Sequence, residues 1–433
     1  VNLEDVIVET LKKEVVPAIG CTEPVAVALA CAKARELLNT KEATDIHVSV
    51  SPNIYKNGLA VGVPPTDEVG LYIAAALGFI GGESKKGLQL LESIEKEEIE
   101  LAKELLESGK LRLDIKDTRE KVYIEVKLNT NEGFSRVIIK GKHNQFVYLE
   151  RQGEVVENLQ ENATEAIDRG ESIYNLKIST IIESIEKTPH QRIAFMLEGL
   201  SMNEEVAMSG LTKKVGLGVG YTLHQNMKRG ILSYDLMNYA KVLTAAASDA
   251  RMSGLKLPVM SSNGSGNNGL TAILPIVAYK RIFDVPEEKL AKALAMSHMM
   301  NSYIKHYIGR LSALCGCGVA AGTGAGVAIV WLMGGKMDEI EGVIKNVLGD
   351  ISGMICDGAK VGCALKLSTS ASAAVQAALL AIDHQIIPAG NGIIAETAED
   401  TIKNLKRLSY EGMDKADEVI LKVMQKSQRI RSA

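Results

Sequence analysis

The chain has 433 residues, 46% hydrophobic and 24% charged, and its 49 basic against 53 acidic side chains leave a formal charge of −4. That balance excludes a disordered or collagen-like chain, and it lacks the basic excess on which nucleic-acid binders rely. Aromatics amount to 4%, with a single tryptophan, Trp331, so stacking platforms for bases or sugars are excluded as well.

In chain order, residues 1–40 read as a helical arm packing on the catalytic domain, with an apolar helix over residues 25–38 launched by Pro24, because proline suits a first helical turn. The period then falls to two. Ile46, Val48 and Val50 alternate with polar residues as a half-buried strand does. Helices are predicted over residues 68–79 and 96–108. Leu111, Leu113 and Ile115, then Val122, Ile124, Val126 and Leu128, alternate on either side of a polar turn and read as a hairpin. Residues 137–139 and 146–149 add two strands, so residues 41–160 make an α+β domain.

Residues 161–433 read as an all-helical catalytic domain, and the chain as a whole is of the α+β class. Its centre is assigned to the small-residue segments 319–333 and 369–382, wrapped by amphipathic helices such as residues 287–300. Residues 311–335 run for 25 positions without a charge, long enough to cross a bilayer, yet seven are glycine and two cysteine. A buried central helix is predicted there, and no membrane partner.

The six cysteines are Cys21, Cys31, Cys315, Cys317, Cys356 and Cys363. An even count argues for disulfides only in a short secreted chain. Residues 1–10 are acidic and lack the apolar run of a signal peptide, so a cytoplasmic protein with reduced thiols is predicted. Cys315 and Cys317 cannot share a helical face. Cys356 and Cys363 would lie about 10.5 Å apart on a helix. That span is awkward for one tetrahedral zinc and easier for an iron–sulfur cluster, although it matches no standard ferredoxin run. Three readings stay open on the residues alone: a metal or cluster site, redox or catalytic thiols, or inert buried cysteines.

Cys21 precedes a predicted helix in Gly20-Cys-Thr-Glu-Pro24, a position that lowers a thiol pKa, whereas Cys31 reads as core. The loop Ser261-Ser-Asn-Gly-Ser-Gly-Asn-Asn-Gly269 fits G-x-G-x-x-G, with Asp284 following Gly264 by 20 residues, as in a dinucleotide-binding fingerprint. No βαβ pattern surrounds it, and Asp284 and Glu287 have the spacing of a helix-capping box. An amide-rich nest for a carboxylate is the preferred reading, with a simple turn as the alternative. Among the histidines, His306 in Lys305-His-Tyr-Ile-Gly-Arg310 is kept as a candidate.

Taken together, Pro17-Ala-Ile-Gly-Cys-Thr-Glu-Pro24, Ser262-Asn-Gly-Ser-Gly-Asn-Asn-Gly269, Cys315-Gly-Cys317 and Ile355-Cys-Asp-Gly-Ala-Lys-Val-Gly-Cys363 resemble the L-cysteine desulfidase family, relatives of the iron–sulfur L-serine dehydratases, over nearly the whole chain. The resemblance implies a [4Fe–4S] cluster with three cysteine ligands, carried over onto Cys315, Cys356 and Cys363. Cys317 has no clear counterpart and is the alternative to Cys315. The Ser-Ser-His-Thr segment of the dehydratases is replaced by Gly-Cys-Thr-Glu. The activity implied is a lyase that converts L-cysteine to pyruvate, ammonia and sulfide. Cys21 is assigned to proton transfer, and Glu23, Ser262, Asn263, Asn268 and Arg310 to the small amino-acid substrate. L-serine dehydration and a non-catalytic iron–sulfur or amino-acid sensor are the alternatives, and a homo-oligomer is left open.

Overall fold

Asn2 caps the first helix, Leu3–Glu14, by accepting the Glu4 amide, and that helix has an acidic first turn and a basic last turn, as its dipole prefers. The computed structural model of the protein describes residues 2–159, 171–413 and 415–431. Leu3–Glu14 buries Ile7, Val8 and Leu11 in the core of the helical domain. The next helix, Thr22–Leu38, lies instead in the core of the sheet domain. The predicted arm is therefore divided. A helix that is apolar on nearly every side needs cover on every side, and the sheet face together with helix Leu71–Ile80 supplies it.

The strands are β1 (Pro17–Ala18), β2 (Asp45–Val50), β3 (Leu111–Ile115), β4 (Tyr123–Asn129), β5 (Phe134–Lys140), β6 (Phe146–Arg151), β7 (Glu154–Asn158) and β8 (Val259–Met260). Six of them form one sheet in the order β3-β2-β4-β5-β6-β7. The predicted β3–β4 hairpin is not formed. Strand β2 lies between them, with Ile46 facing Leu111 in a parallel pairing and Leu128 in an antiparallel one. Alternation fixes which face of a strand is buried and leaves its neighbour open. The central place falls to the strand whose Ile46, Val48 and Val50 are wholly buried. Strand β7 is exposed along its length, so it carries no alternating signature.

A short helix, Pro52–Gly58, is absent from the sequence reading although Ser51, which accepts the Ile54 amide, and Pro52 are a standard helix start. This helix brings Lys56 and Asn57 to the domain boundary.

In the helical domain, Val319–Leu332 is buried as predicted for the charge-free segment. Its glycines permit close helix packing. A Cβ on Gly324 would come within 2.2 Å of the Ser297 carbonyl on helix Glu287–Ile308. Cys363–Ile382 has the length and composition of a membrane span, but it packs against Leu236–Met252 and Val319–Leu332. Glu287–Ile308 starts at Pro286 without a side-chain cap, so the capping box from Asp284 is not formed. Helix Gly266–Ile282 begins at Ser265, whose hydroxyl accepts the Asn268 amide, and it absorbs Gly266 and Gly269. A Cβ on Gly269 would lie 1.9 Å from the Met260 carbonyl, so this glycine serves backbone packing.

Candidate functional site

The two-residue pairing of β1 with β8 brings the Gly20–Cys21 turn to the 261–269 loop. The Ser261 and Asn263 amides donate to the carbonyls of Val16 and Glu14, at 2.9 Å each. Thr22 Oγ1 reaches the Gly264 carbonyl at 3.1 Å. Buried Arg251 locks the junction, donating from Nη2 to the Gly20 carbonyl at 2.8 Å and from Nη1 to Asn267 Oδ1 at 3.1 Å.

Two further chain segments close the site from the helical side. Leu314 and Ile355 form an antiparallel bridge, with the Cys315 amide donating to Met354 O and the Cys356 amide to Ala313 O. Cys317 follows two residues on, ahead of helix Val319–Leu332, and Cys363 begins the helix Cys363–Ile382. The result is one cavity lined by five thiols, Cys21, Cys315, Cys317, Cys356 and Cys363. Cys31 is not among them; it is buried in the sheet-domain core, where burial pushes its thiol up to about 12.

The thiols differ in acidity. Cys317 is pulled down to about 6, first by its hydrogen bond with Cys315, then by the Ser265 hydroxyl at 3.5 Å and the charges of Lys305 and Arg251, against the opposing effect of burial. Cys315, its partner, is raised correspondingly. Burial lifts Cys363 to about 11. The lowering predicted for Cys21 from its place at a helix start is reversed: burial pushes it up to about 12, more than the nearby Arg251 charge brings it down. The helix-terminus field is a small effect beside complete desolvation.

Among the described residues lining the cavity, Glu23 is the one carboxylate, against the cations Lys56, Arg251, Lys305, Arg310 and Lys366. Lys56 and Lys366 are held by Asp417 and Asp357. Glu23 Oε1 accepts from Asn57 Nδ2 at 3.1 Å and lies 3.9 Å from His143 Nε2. His143 reaches in from the β5–β6 turn, and burial keeps it below the ordinary histidine value, with Glu23 opposing. Two buried polar atoms here, Asn57 Oδ1 and His143 Nε2, have no hydrogen-bond partner. Unsatisfied buried groups are costly, so such a cluster points to a polar ligand.

Of the residues singled out from sequence, Cys21, Glu23, Asn263, Arg310 and the four clustered cysteines line this cavity. Asn263, at φ +52°, donates to Ser302 Oγ at 2.9 Å, and Arg310 Nη2 pairs with Glu14 Oε1 at 2.5 Å. Ser262 and Asn268 do not reach it; both lie wholly buried behind the loop. The Ser262 hydroxyl accepts from Asn263 Nδ2 and Asn301 Nδ2, which fills its lone pairs, so its own hydrogen goes to His298 Nδ1 at 2.9 Å. His306 stands in an adjoining cavity, stacked on Tyr174 with ring centroids 4.6 Å apart. Sequence reasoning missed Lys56, Asn57, His143, Arg251 and Lys305. A lone arginine inside the alanine-rich run Ala245-Ala-Ala-Ser-Asp-Ala-Arg251 was a readable signal; His143, in a polar turn, offered none.

The donor set fits an iron–sulfur cluster. Four of its thiols, Cys315, Cys317, Cys356 and Cys363, line the cavity from two neighbouring segments, and thiols are soft donors suited to such a centre.

Compared with known proteins, residues 85–422 match the family profile described as serine dehydratase alpha chain. The chain is 63% identical to a UPF0597 protein of Alkaliphilus metalliredigens, over 100% of this chain and 97% of that protein. A UPF0597 protein of Alkaliphilus oremlandii is 60% identical over 98% of each chain, and one from Clostridioides difficile is 52% identical over 96% of this chain and 98% of its own.

Proposed function

The chain belongs to the serine dehydratase alpha chain family, and from that premise we propose that it is an iron–sulfur-dependent lyase that breaks L-cysteine down, with one water, to pyruvate, ammonia and hydrogen sulfide. The observation that supports the reading is the gathering of Cys315, Cys317, Cys356 and Cys363 in one cavity with the buried, hydrogen-bond-deficient Asn57 Oδ1 and His143 Nε2. Held by Cys356, Cys363 and one of Cys315 and Cys317, a [4Fe–4S] cluster would supply a Lewis acid toward the substrate's leaving group.

The remaining work falls to the chain's own residues. Arg310 and Arg251 offer guanidinium donors to the substrate carboxylate, and Glu23 with Asn57 Oδ1 offers acceptors to its ammonium. Burial keeps His143 uncharged at neutral pH, so a ring nitrogen can take the α-proton. Cys21, kept protonated by burial, holds the proton that returns to the three-carbon product. Asn263 lines both this cavity and the adjoining one, while Ser262 and Asn268 support its loop from behind. A cytoplasmic setting goes with this reading, because it keeps five adjacent thiols reduced.

The family description favours a second reading, dehydration of L-serine by the same groups. Anaerobic reconstitution with iron and sulfide, followed by a panel of β-substituted amino acids, tests both. Equimolar sulfide and pyruvate from cysteine, with kcat/KM above that for serine, is the expected result. The reverse order assigns serine, and binding of either amino acid without turnover by iron-loaded protein replaces the lyase with a sensor.

A further inference from the structure

Lys56 is 2% exposed, and its ammonium spans two distant parts of the chain. Nζ lies 2.5 Å from Asp417 Oδ1 and 3.0 Å from the carbonyl oxygen of Cys356. Asp417 stands in the first turn of the last helix, Ala416–Arg431, and its second oxygen accepts from Asn53 Nδ2 at 3.0 Å. Lys121 approaches that oxygen at 3.6 Å from a side chain that is 54% exposed. The backbone of Lys56 also abuts the thiol loop: Gly358 has φ +92°, and a Cβ there would lie 2.3 Å from the Lys56 carbonyl oxygen. A buried ammonium with one carboxylate partner cannot lose that partner without leaving an uncompensated charge, so the lysine, the aspartate and the Cys356 carbonyl are mechanically one unit.

We propose that the Lys56–Asp417 pair is a latch by which the C-terminal helix holds the Cys356 loop, and so the Cys356 thiol, in place at the cavity. Lys56 and Asp417 are thus positioning residues, linking the far end of the chain to the thiol site through the sheet domain. The consequence for iron rests on the cluster reading given above; the consequence for the loop does not.

The test compares Asp417→Asn, which keeps size and removes charge, with Asp417→Glu and with the control Lys121→Ala. Amide hydrogen exchange over residues 355–359 is measured on iron-free protein, and iron loss to a chelator on reconstituted protein. Asp417→Asn should speed both by about tenfold or more, as expected for a lost charge-assisted bond, while exchange in the buried helix Val319–Leu332 changes less. Asp417→Glu should recover most of the protection, and Lys121→Ala should match the parent. Parent-like exchange in Asp417→Asn overturns the latch, whereas faster exchange with unchanged iron loss keeps the latch and overturns Cys356 as a cluster ligand. If the parent takes up no iron, the exchange arm alone decides the latch, and the cluster reading is what fails.

Discussion

His143 and Cys21 show how burial, rather than sequence position, sets proton chemistry in this cavity. Desolvation disfavours the charged form of each, so at neutral pH the imidazole is unprotonated and the thiol protonated, the forms in which the one can accept a proton and the other give one. His143→Asn should therefore keep its iron and its KM while kcat falls about 10²–10⁴-fold, the usual weight of a general acid–base group. Steady-state kinetics with an iron assay checks this, and an unchanged kcat returns the proton to Glu23 or Cys21. Cys21→Ser should also retain iron and lose most of its turnover; iron loss would instead make Cys21 a ligand. Arg310 and Ser262 separate binding from support. Arg310→Gln should raise KM about tenfold or more, since a charge-assisted bond is worth about 1.5–3 kcal/mol. Ser262→Ala removes the partner of Asn301 Nδ2 and His298 Nδ1, and should cost about 1–3 kcal/mol in urea denaturation with KM unaltered.

At the scale of elements, the site depends on how closely backbones approach. Helix Val319–Leu332 follows directly on Cys317, and its Gly324 lets helix Glu287–Ile308, which carries Lys305, come against it. Gly324→Ala overpacks that crossing and should destabilise the fold by about 1–3 kcal/mol. Thermal unfolding reads the loss, and a stability within error of the parent would mean that the helices separate at no cost. The small-residue pattern was legible as a buried helix because no charge interrupts it. What it packs on was not, since glycine marks a close approach without identifying the neighbour. The same gap explains the misread hairpin: β3 and β4 alternate as paired strands do, yet both pair with β2.

For the whole molecule, burial of neutral imidazoles makes stability depend on pH in a definite direction. His298, wholly enclosed, is lowered to about 3 by burial, and His143 is lowered as well. Below about pH 6.5 the unfolded chain takes up protons that the folded protein declines, so this stabilisation is complete above that pH and is lost as pH falls toward 3. Each such group contributes a slope of up to about 1.4 kcal/mol per pH unit. Urea unfolding at pH 7, 6 and 5 should show stability falling with acidity, and His298→Gln should flatten the fall by about one group's share. An unchanged slope would show that His298 takes up its proton in the folded state.

The sequence by itself determined the α+β class, the buried glycine-rich helix and the concentration of thiols in three motifs, because periodicity, the absence of charge and local spacing are properties of contiguous residues. Only the tertiary structure decided that Cys21 joins the four other thiols, through a two-residue pairing of β1 with β8 across some 240 positions. It also decided that Lys56, Asn57 and His143 belong to the site, while Ser262 and Asn268 stand behind it. The physical reason is the same in each case. A polar side chain in a turn or a short helix has no local pattern to betray it, and whether it supports a loop or faces a ligand depends on which distant backbone closes over it.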